Sequence, residues 1–170
     1  QQVAVFAEQG KTPVFVAMDG RVAALLAIAD QPRQGARDAI ARLHRLGIET
    51  VMATGDLRAV AQHIARQVGI ERVIARATPA MKLELIHELQ QQGKRVGMIG
   101  DGINDAPALI AADVGLAIGG GADIAVEAAD ITLLGGDIAR VAATVELSRR
   151  TMSVIRQNLF WALGYNVVAI

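Results

Sequence analysis

The chain has 170 residues, no cysteine and a formal net charge of zero. These values exclude a disulfide framework and any thiolate metal site in this stretch, and nothing in the charge points to nucleic acid or an acidic surface as partner. Hydrophobic residues make up 52% and aromatics only 3%, an excess of Ala, Val, Ile and Leu of the kind that parallel strands covered by helices require.

Residues 3–6 and 14–18 are short β-like runs separated by Gly10-Lys11-Thr12-Pro13. Asp19-Gly20 then joins 14–18 to 22–29 with the strongest two-residue hairpin signal available. The opening is therefore expected to be an antiparallel meander, broken by Asp30-Gln31-Pro32-Arg33. From there helix and strand alternate. Residues 36–46 carry Ala39, Ile40, Leu43 and Leu46 on one helical face and stop at Gly47. A strand over 48–53 closes in Thr54-Gly55-Asp56, a helix over 57–68 is capped by Gly69, and a short run follows at 72–75. Thr78-Pro79 opens a third helix through Gln92, ended by Gly93.

Residues 96–99 have the length and company of a buried strand. The strand ends in Gly100-Asp101-Gly102, where glycines let the backbone turn beside a carboxylate. Asp105 follows four residues later. Asn104 or Asp105 suits an N-cap, and Pro107 suits the first turn of a helix over 108–112. Two acids and an amide thus stand at the carboxyl end of a strand, where open α/β sheets place their ligands. Hard oxygen donors there suit Mg²⁺ held together with a substrate phosphate. Strands over 114–118 and 131–134 each precede a glycine pair. Alternation from 34 to 134 predicts a parallel sheet with helices on both faces.

From Asp137 the pattern is helical to the end. Arg140, Arg149, Arg150 and Arg156 precede an apolar run of twelve residues, 159–170, short of the roughly 20 that span a bilayer. The absence of an initiating Met and the position of this run read as an internal fragment that stops inside a membrane helix. The arginines would hold its start on the cytoplasmic side, with Trp161 near the interface. The alternative is a C-terminal helix packed along the domain.

Thr54-Gly55-Asp56 repeats the pattern of the central loop: strand, hydroxyl, glycine, acid, helix. A threonine hydroxyl and exposed backbone N–H groups at such a turn can hold a phosphoryl oxygen. Lys82 stands in the first turn of its helix, the unfavourable end for a cation, and so calls for a compensating anion. Each signal alone is weak. Together, in the order Thr, Lys, Asp-Asp, each at the head of a helix, they resemble the second, third and fourth motifs of the haloacid-dehalogenase-like phosphotransferases. The string from Gly100 to Ala108 resembles the hinge-and-metal signature of the P-type ATPases within that superfamily.

The resemblance covers essentially the whole chain, and its details are similar to the heavy-metal-transporting branch. Gly115-Leu116-Ala117-Ile118 with 119–123, and then Ala129-Asp130-Ile131-Thr132-Leu133, follow that branch's wording. Asn158-Leu159-Phe160-Trp161 leading to Tyr165-Asn166 resembles the membrane helix of the Cu⁺ exporters; the lysine that Zn²⁺ and Cd²⁺ exporters tend to carry there is absent. Three positions depart from the family pattern: Leu57 in place of Asn, Met81 in place of an acid, and Gly120-Gly121-Ala122 in place of a Gly-Thr-Gly-Thr-like run.

The resemblance implies a haloacid-dehalogenase-like (Rossmann-like) α/β domain over 30–145. The end of a nucleotide-binding domain would occupy 1–29, and a linker helix with the truncated start of a membrane helix 146–170. It implies ATP and Mg²⁺ as cofactors and an aspartyl phosphate whose nucleophile lies outside this chain, so the fragment alone is expected to be inactive. Thr54, with Gly55 and Asp56, would hydrogen-bond the phosphoryl and Lys82 would neutralise it. Asp101 and Asp105, with Gly100, Gly102 and Asn104, would form the Mg²⁺ and phosphate surroundings. Tyr165 and Asn166 would contact the transported ion, Cu⁺ or Ag⁺. The implied parent is a multi-pass pump in a bacterial plasma membrane with 1–150 cytoplasmic. Its partners would be lipid, the metal ion and a metallochaperone. The rivals are a Zn²⁺/Cd²⁺ pump, a soluble phosphatase of the superfamily, and a non-catalytic module.

Overall fold

A computed structural model describes residues 3, 5–6, 9–29, 31–100, 103–119, 127–133 and 137–169. At the start, the expected strand over 3–6 is not formed. Val3, Val5 and Phe6 are helical, and the Gln9 N–H closes a helical turn onto the Val5 carbonyl at 3.1 Å. A four-residue apolar run does not distinguish the two states by periodicity, and here the local hydrogen bond decides. The meander is therefore a single hairpin of β1 (Lys11–Met18) and β2 (Arg21–Ala29). Its turn is the one Asp19-Gly20 encodes, with both residues at positive φ (50° and 74°). Phe15, Met18, Val22, Leu26 and Ile28 are exposed, so the hairpin does not pack its apolar side chains on the rest of the chain.

The remaining elements follow the expected alternation. Helix α1 (Ala36–Arg45) buries Ala36, Ala39, Ile40 and Leu43 and releases the chain at Gly47 in the left-handed region. Strand β3 (Val51–Ala53) pairs parallel with β4 (Arg72–Ile74), with helix α2 (Arg58–Val68) crossing between them. β3 is half the predicted length because its partner offers only three residues. Helix α3 (Pro79–Gln91) leads to β5 (Gly97–Gly100). A 3₁₀ turn (Ile103–Asp105) and helix α4 (Ala106–Ala111) then connect to β6 (Val114–Ile118), and β7 (Ile131–Leu133) completes a parallel β5-β6-β7 sheet. Helix α5 runs from Ala139 to Ala169 without a break, 31 residues, or about 46 Å.

Two hydrophobic cores flank the strands, as a parallel layer covered on both faces requires. One gathers Ile40, Leu43, Val68, Leu116, Leu133 and Ala142 with Met52 and Ile99 packed against it. The other gathers Leu85, Ile86, Leu89, Val96 and Ala108 with Val51, Ala53 and Met98. Side chains of β3 and β5 thus alternate between the same two cores, which puts both strands in one layer. Yet no ladder joins β3 to β5; among the described residues the parallel layer is in two pieces, β3-β4 and β5-β6-β7.

Candidate functional site

The two loops singled out in the sequence lie at the carboxyl ends of β3 and β5. At the first, the Thr54 hydroxyl donates to the Asp56 carboxylate at 2.7 Å, and the Asp56 N–H donates back to Thr54 Oγ1 at 3.2 Å. Side chain and backbone close a tight turn that holds the hydroxyl in place. The segment after β4 is fastened to this turn. Arg76 N–H donates to the Asp56 carbonyl and Ala77 N–H to the Thr54 carbonyl, at 2.9 and 2.8 Å. Arg76 adopts φ 55° to make this approach, a conformation uncommon outside glycine.

One residue further on, Thr78 caps α3: its hydroxyl accepts from the Met81 N–H at 3.2 Å, with Pro79 in the first turn. This aims the first turn of α3 at the second loop. Lys82 Nζ donates to Asp105 Oδ1 at 2.6 Å, with side chains only 16% and 12% exposed. The anion that Lys82 called for is therefore Asp105. An unbroken line of hydrogen bonds and chain runs Thr54, Ala77, Lys82, Asp105, so the structure brings three of the sequence motifs together.

Several expectations are refined. Asp105 stands at the N-cap position of α4 but with helical backbone angles (φ −94°, ψ −16°) rather than the extended ones of a capping residue, and it makes no side-chain cap. α4 begins at Ala106, with Pro107 in its first turn as expected. Gly100 serves close approach: a Cβ built on it would lie 2.6 Å from Asp105 Cβ and 2.9 Å from Oδ2. Gly55 has nothing nearer than 3.9 Å, so the fold does not require glycine there. Leu57 occupies the N-cap of α2 without a side-chain hydrogen bond, and Met81 is the third helical residue of α3, its side chain exposed. Both departures thus fall on helix starts and leave the Thr54–Asp56 turn and the Lys82–Asp105 pair intact. Asp101 and Gly102 lie outside the described residues, as do Asp30 and 120–126.

The donors fit Mg²⁺ in kind. Asp105 Oδ1 is engaged by Lys82, while Oδ2 and the exposed Asn104 amide take no hydrogen bond from a described residue, which leaves hard oxygens for a divalent cation. Among the described residues no group of three or more His, Cys, Asp or Glu side chains converges. Tyr165 and Asn166 lie far along α5, both exposed, and are not part of this site. Among the described residues no helix is long and apolar enough to cross a membrane.

Sequence reasoning missed the braces around the site. Asp113 accepts from the Val96 N–H at 2.8 Å and from Gln90, and Asp130 accepts from the Gly115 N–H at 2.8 Å. Each fixes the start of a site-bearing or neighbouring strand. The Val96 N–H bond, then the Gln90 amide, holds the Asp113 carboxyl below the usual carboxylate range. No spacing rule could have found partners 15 to 17 residues away.

A family model for haloacid dehalogenase-like hydrolases matches residues 1–113. The chain belongs to that family. It is 50% identical over 165 residues to a copper-exporting P-type ATPase of Staphylococcus aureus (strain JH9), covering 97% of this chain and 21% of that protein. A zinc-transporting PIB-type ATPase crystallised in the E2.Pi state superposes with a TM-score of 0.84 at 37% identity, over 96% of this chain and 27% of the other. The catalytic domain of the CPx-ATPase CopB-B gives 0.66 at 30% identity, over 77% of this chain and 52% of that one. The chain thus spans about a fifth of the curated relatives it matches.

Proposed function

We propose that this chain is the phosphorylation domain and adjoining helix of an ATP-driven heavy-metal pump, exporting Cu⁺ or Ag⁺. The observation that carries the reading is the Lys82–Asp105 pair tied through Ala77 to the Thr54 turn, all at the carboxyl ends of parallel strands. Thr54 would donate to a phosphoryl oxygen in place of Asp56, and Lys82 would neutralise its charge. Asp105 and Asn104, together with Asp101, would hold Mg²⁺, whose contribution when bound is to neutralise the transferring phosphoryl group. ATP would supply that group to an aspartate on a segment outside this chain. Among the described residues one edge of β3 and one edge of β5 carry no ladder, which suits such a strand, since a parallel strand seated between them would end beside Thr54 and Asp105. The hairpin β1-β2 would close the nucleotide-binding domain, which accounts for its exposed apolar side chains.

Copper is preferred over zinc because the 50% identity is to a copper exporter and because α5 carries Tyr165-Asn166 and no lysine. The zinc-transporting structural neighbour keeps the divalent ions as the second reading. Lipid would surround the C-terminal end of α5, where Phe160, Trp161, Leu163 and Val167 are all exposed, with 1–150 on the cytoplasmic side and a metallochaperone as ion donor. The test is ATP hydrolysis by the full-length pump in lipid, comparing Cu⁺ and Ag⁺ with Zn²⁺ and Cd²⁺. Stimulation by the monovalent ions, abolished in Asn166→Ala, is expected. Stimulation by the divalent ions alone would sink the copper assignment and keep the pump.

A further inference from the structure

Among the described residues helix α5 meets the rest of the chain along one short face. Val141 and Ala142 are 3% and 0% exposed in the core they share with Ile40 and Leu43. One turn on, the Arg42 guanidinium donates to the Glu146 carboxylate at 2.8 Å. The next turn brings Arg149, whose guanidinium donates to the Leu46 carbonyl at 2.7 Å. Positions 142, 146 and 149 are four and three apart, so they stack on one side of the helix. Leu46 is the C-cap of α1, and its carbonyl lies at the negative end of that helix, where a cation is favoured. From 147 to 163 every residue is exposed.

The partner of this face is itself tied to the phosphoryl site. Leu46 ends α1, and a short turn then delivers β3, whose last residue precedes Thr54. At the other end, Asn166 lies 17 residues beyond Arg149 on an unbroken helix, or about 25 Å away. A helix held only by the apolar contacts of Val141, Ala142 and Val145 would be seated at its start but free to swing beyond them. The ion pair and the guanidinium–carbonyl bond remove that freedom. Both are exposed enough to add little to folding, and what they add is direction.

Resting on the pump reading, we propose that Glu146 and Arg149, with Arg42, are positioning residues that clamp α5 to α1. The clamp makes the helix a rigid lever between the Thr54 turn and the ion-contacting end. Movement of one end then biases the other, which is what coupling between two sites requires.

The experiment uses the full-length pump in lipid vesicles with Cu⁺ as the probe. Basal ATP hydrolysis, Cu⁺-stimulated hydrolysis, Cu⁺ transported per ATP and the melting temperature are measured together. Arg149→Met and Glu146→Arg are expected to keep the basal rate and melting temperature. Their ratio of stimulated to basal hydrolysis should fall by about fivefold or more, with a matching loss of Cu⁺ transported per ATP. The charge-swapped pair Arg42→Glu with Glu146→Arg should restore the ratio, a rescue that a loss of folding would not give. Unchanged ratios in both single variants, with the wild type stimulated, overturn the clamp. A swap that folds normally yet fails to restore the ratio overturns the role of the ion pair. A wild type stimulated by none of Cu⁺, Ag⁺, Zn²⁺ and Cd²⁺ overturns the pump reading itself and the clamp with it, a result distinct from the other two.

Discussion

Gly100 and Gly55 were both read from the sequence as loop glycines beside a carboxylate, and the structure separates them. A methyl at Gly100 would enter the space of Asp105 Cβ and Oδ2, so Asp105 would have to move and its 2.6 Å contact with Lys82 would open. Gly100→Ala is expected to destabilise the chain by about 1–3 kcal/mol, the usual penalty for overfilling a packed site. Gly55→Ala meets only the Ala77 carbonyl at 3.9 Å and is expected to leave stability within about 0.5 kcal/mol. If glycine at 55 matters, it matters for what binds above it. Thermal unfolding of the two variants checks the contrast, and, on the proposed phosphoryl-binding role of the Thr54 turn, fluoroberyllate binding to the full-length protein should then weaken in Gly55→Ala. Equal melting temperatures for both variants would refute the steric reading of Gly100. The same scale explains what was legible in advance. Thr54, Lys82 and Asp105 announced themselves by residue type at helix starts. The partner of Lys82 did not, because a contact across 23 residues depends on how α3 and the second loop pack.

The boundaries of most elements were readable because glycines and one proline punctuate them: Gly47, Gly69 and Gly93 all take positive φ after helices, and Pro79 opens α3. Strand lengths were less readable, since a strand extends only as far as its neighbour, and β3 stops where β4 does. The segment around Val5 was misread for the same reason: nothing in four apolar residues says whether a sheet edge is at hand. Once formed, β5 is held at its start by Asp113, which accepts from Val96 N–H and from Gln90 on α3. These bonds stabilise the ionised carboxylate and lower its pKa in the folded state. A depressed carboxyl pKa contributes stability that is present above the unfolded value, about 3.9, and is lost as pH falls through the folded value. Asp113→Asn should therefore lower the urea midpoint at about pH 7, and the difference should shrink as pH falls below the unfolded value toward the folded one. Glu49, lowered by its exposed partner Lys94, should contribute the same sign and respond more to salt. A constant difference for Asp113→Asn across the acid range would show that its charge is irrelevant to the brace.

At the scale of the whole molecule, the parallel layer has an edge on each side of a missing ladder. Met52 and Ile99 share one core, and Val51, Ala53 and Met98 share the other, but β3 and β5 exchange no hydrogen bonds. Among the described residues one edge of β3 and one edge of β5 carry no ladder, and such unpaired N–H and C=O groups favour addition of a further strand. Periodicity revealed the layer and its two covered faces; it could not reveal the gap, because a break in pairing leaves no mark on the alternation of apolar residues. If a strand from elsewhere in the full-length protein seats there, each ladder hydrogen bond it adds contributes about 1 kcal/mol net. Two or more such bonds should slow amide exchange along β3 and β5 by at least about tenfold. Hydrogen exchange read by mass spectrometry, on this chain alone and on the full-length protein, makes the comparison directly. Protection is expected to rise over 51–53 and 97–100, while β6, already paired on both sides with β5 and β7, changes little. Equal protection of β3 and β5 in the two would mean that no strand enters, and the proposed aspartate nucleophile would have to reach Thr54 and Lys82 from outside the sheet.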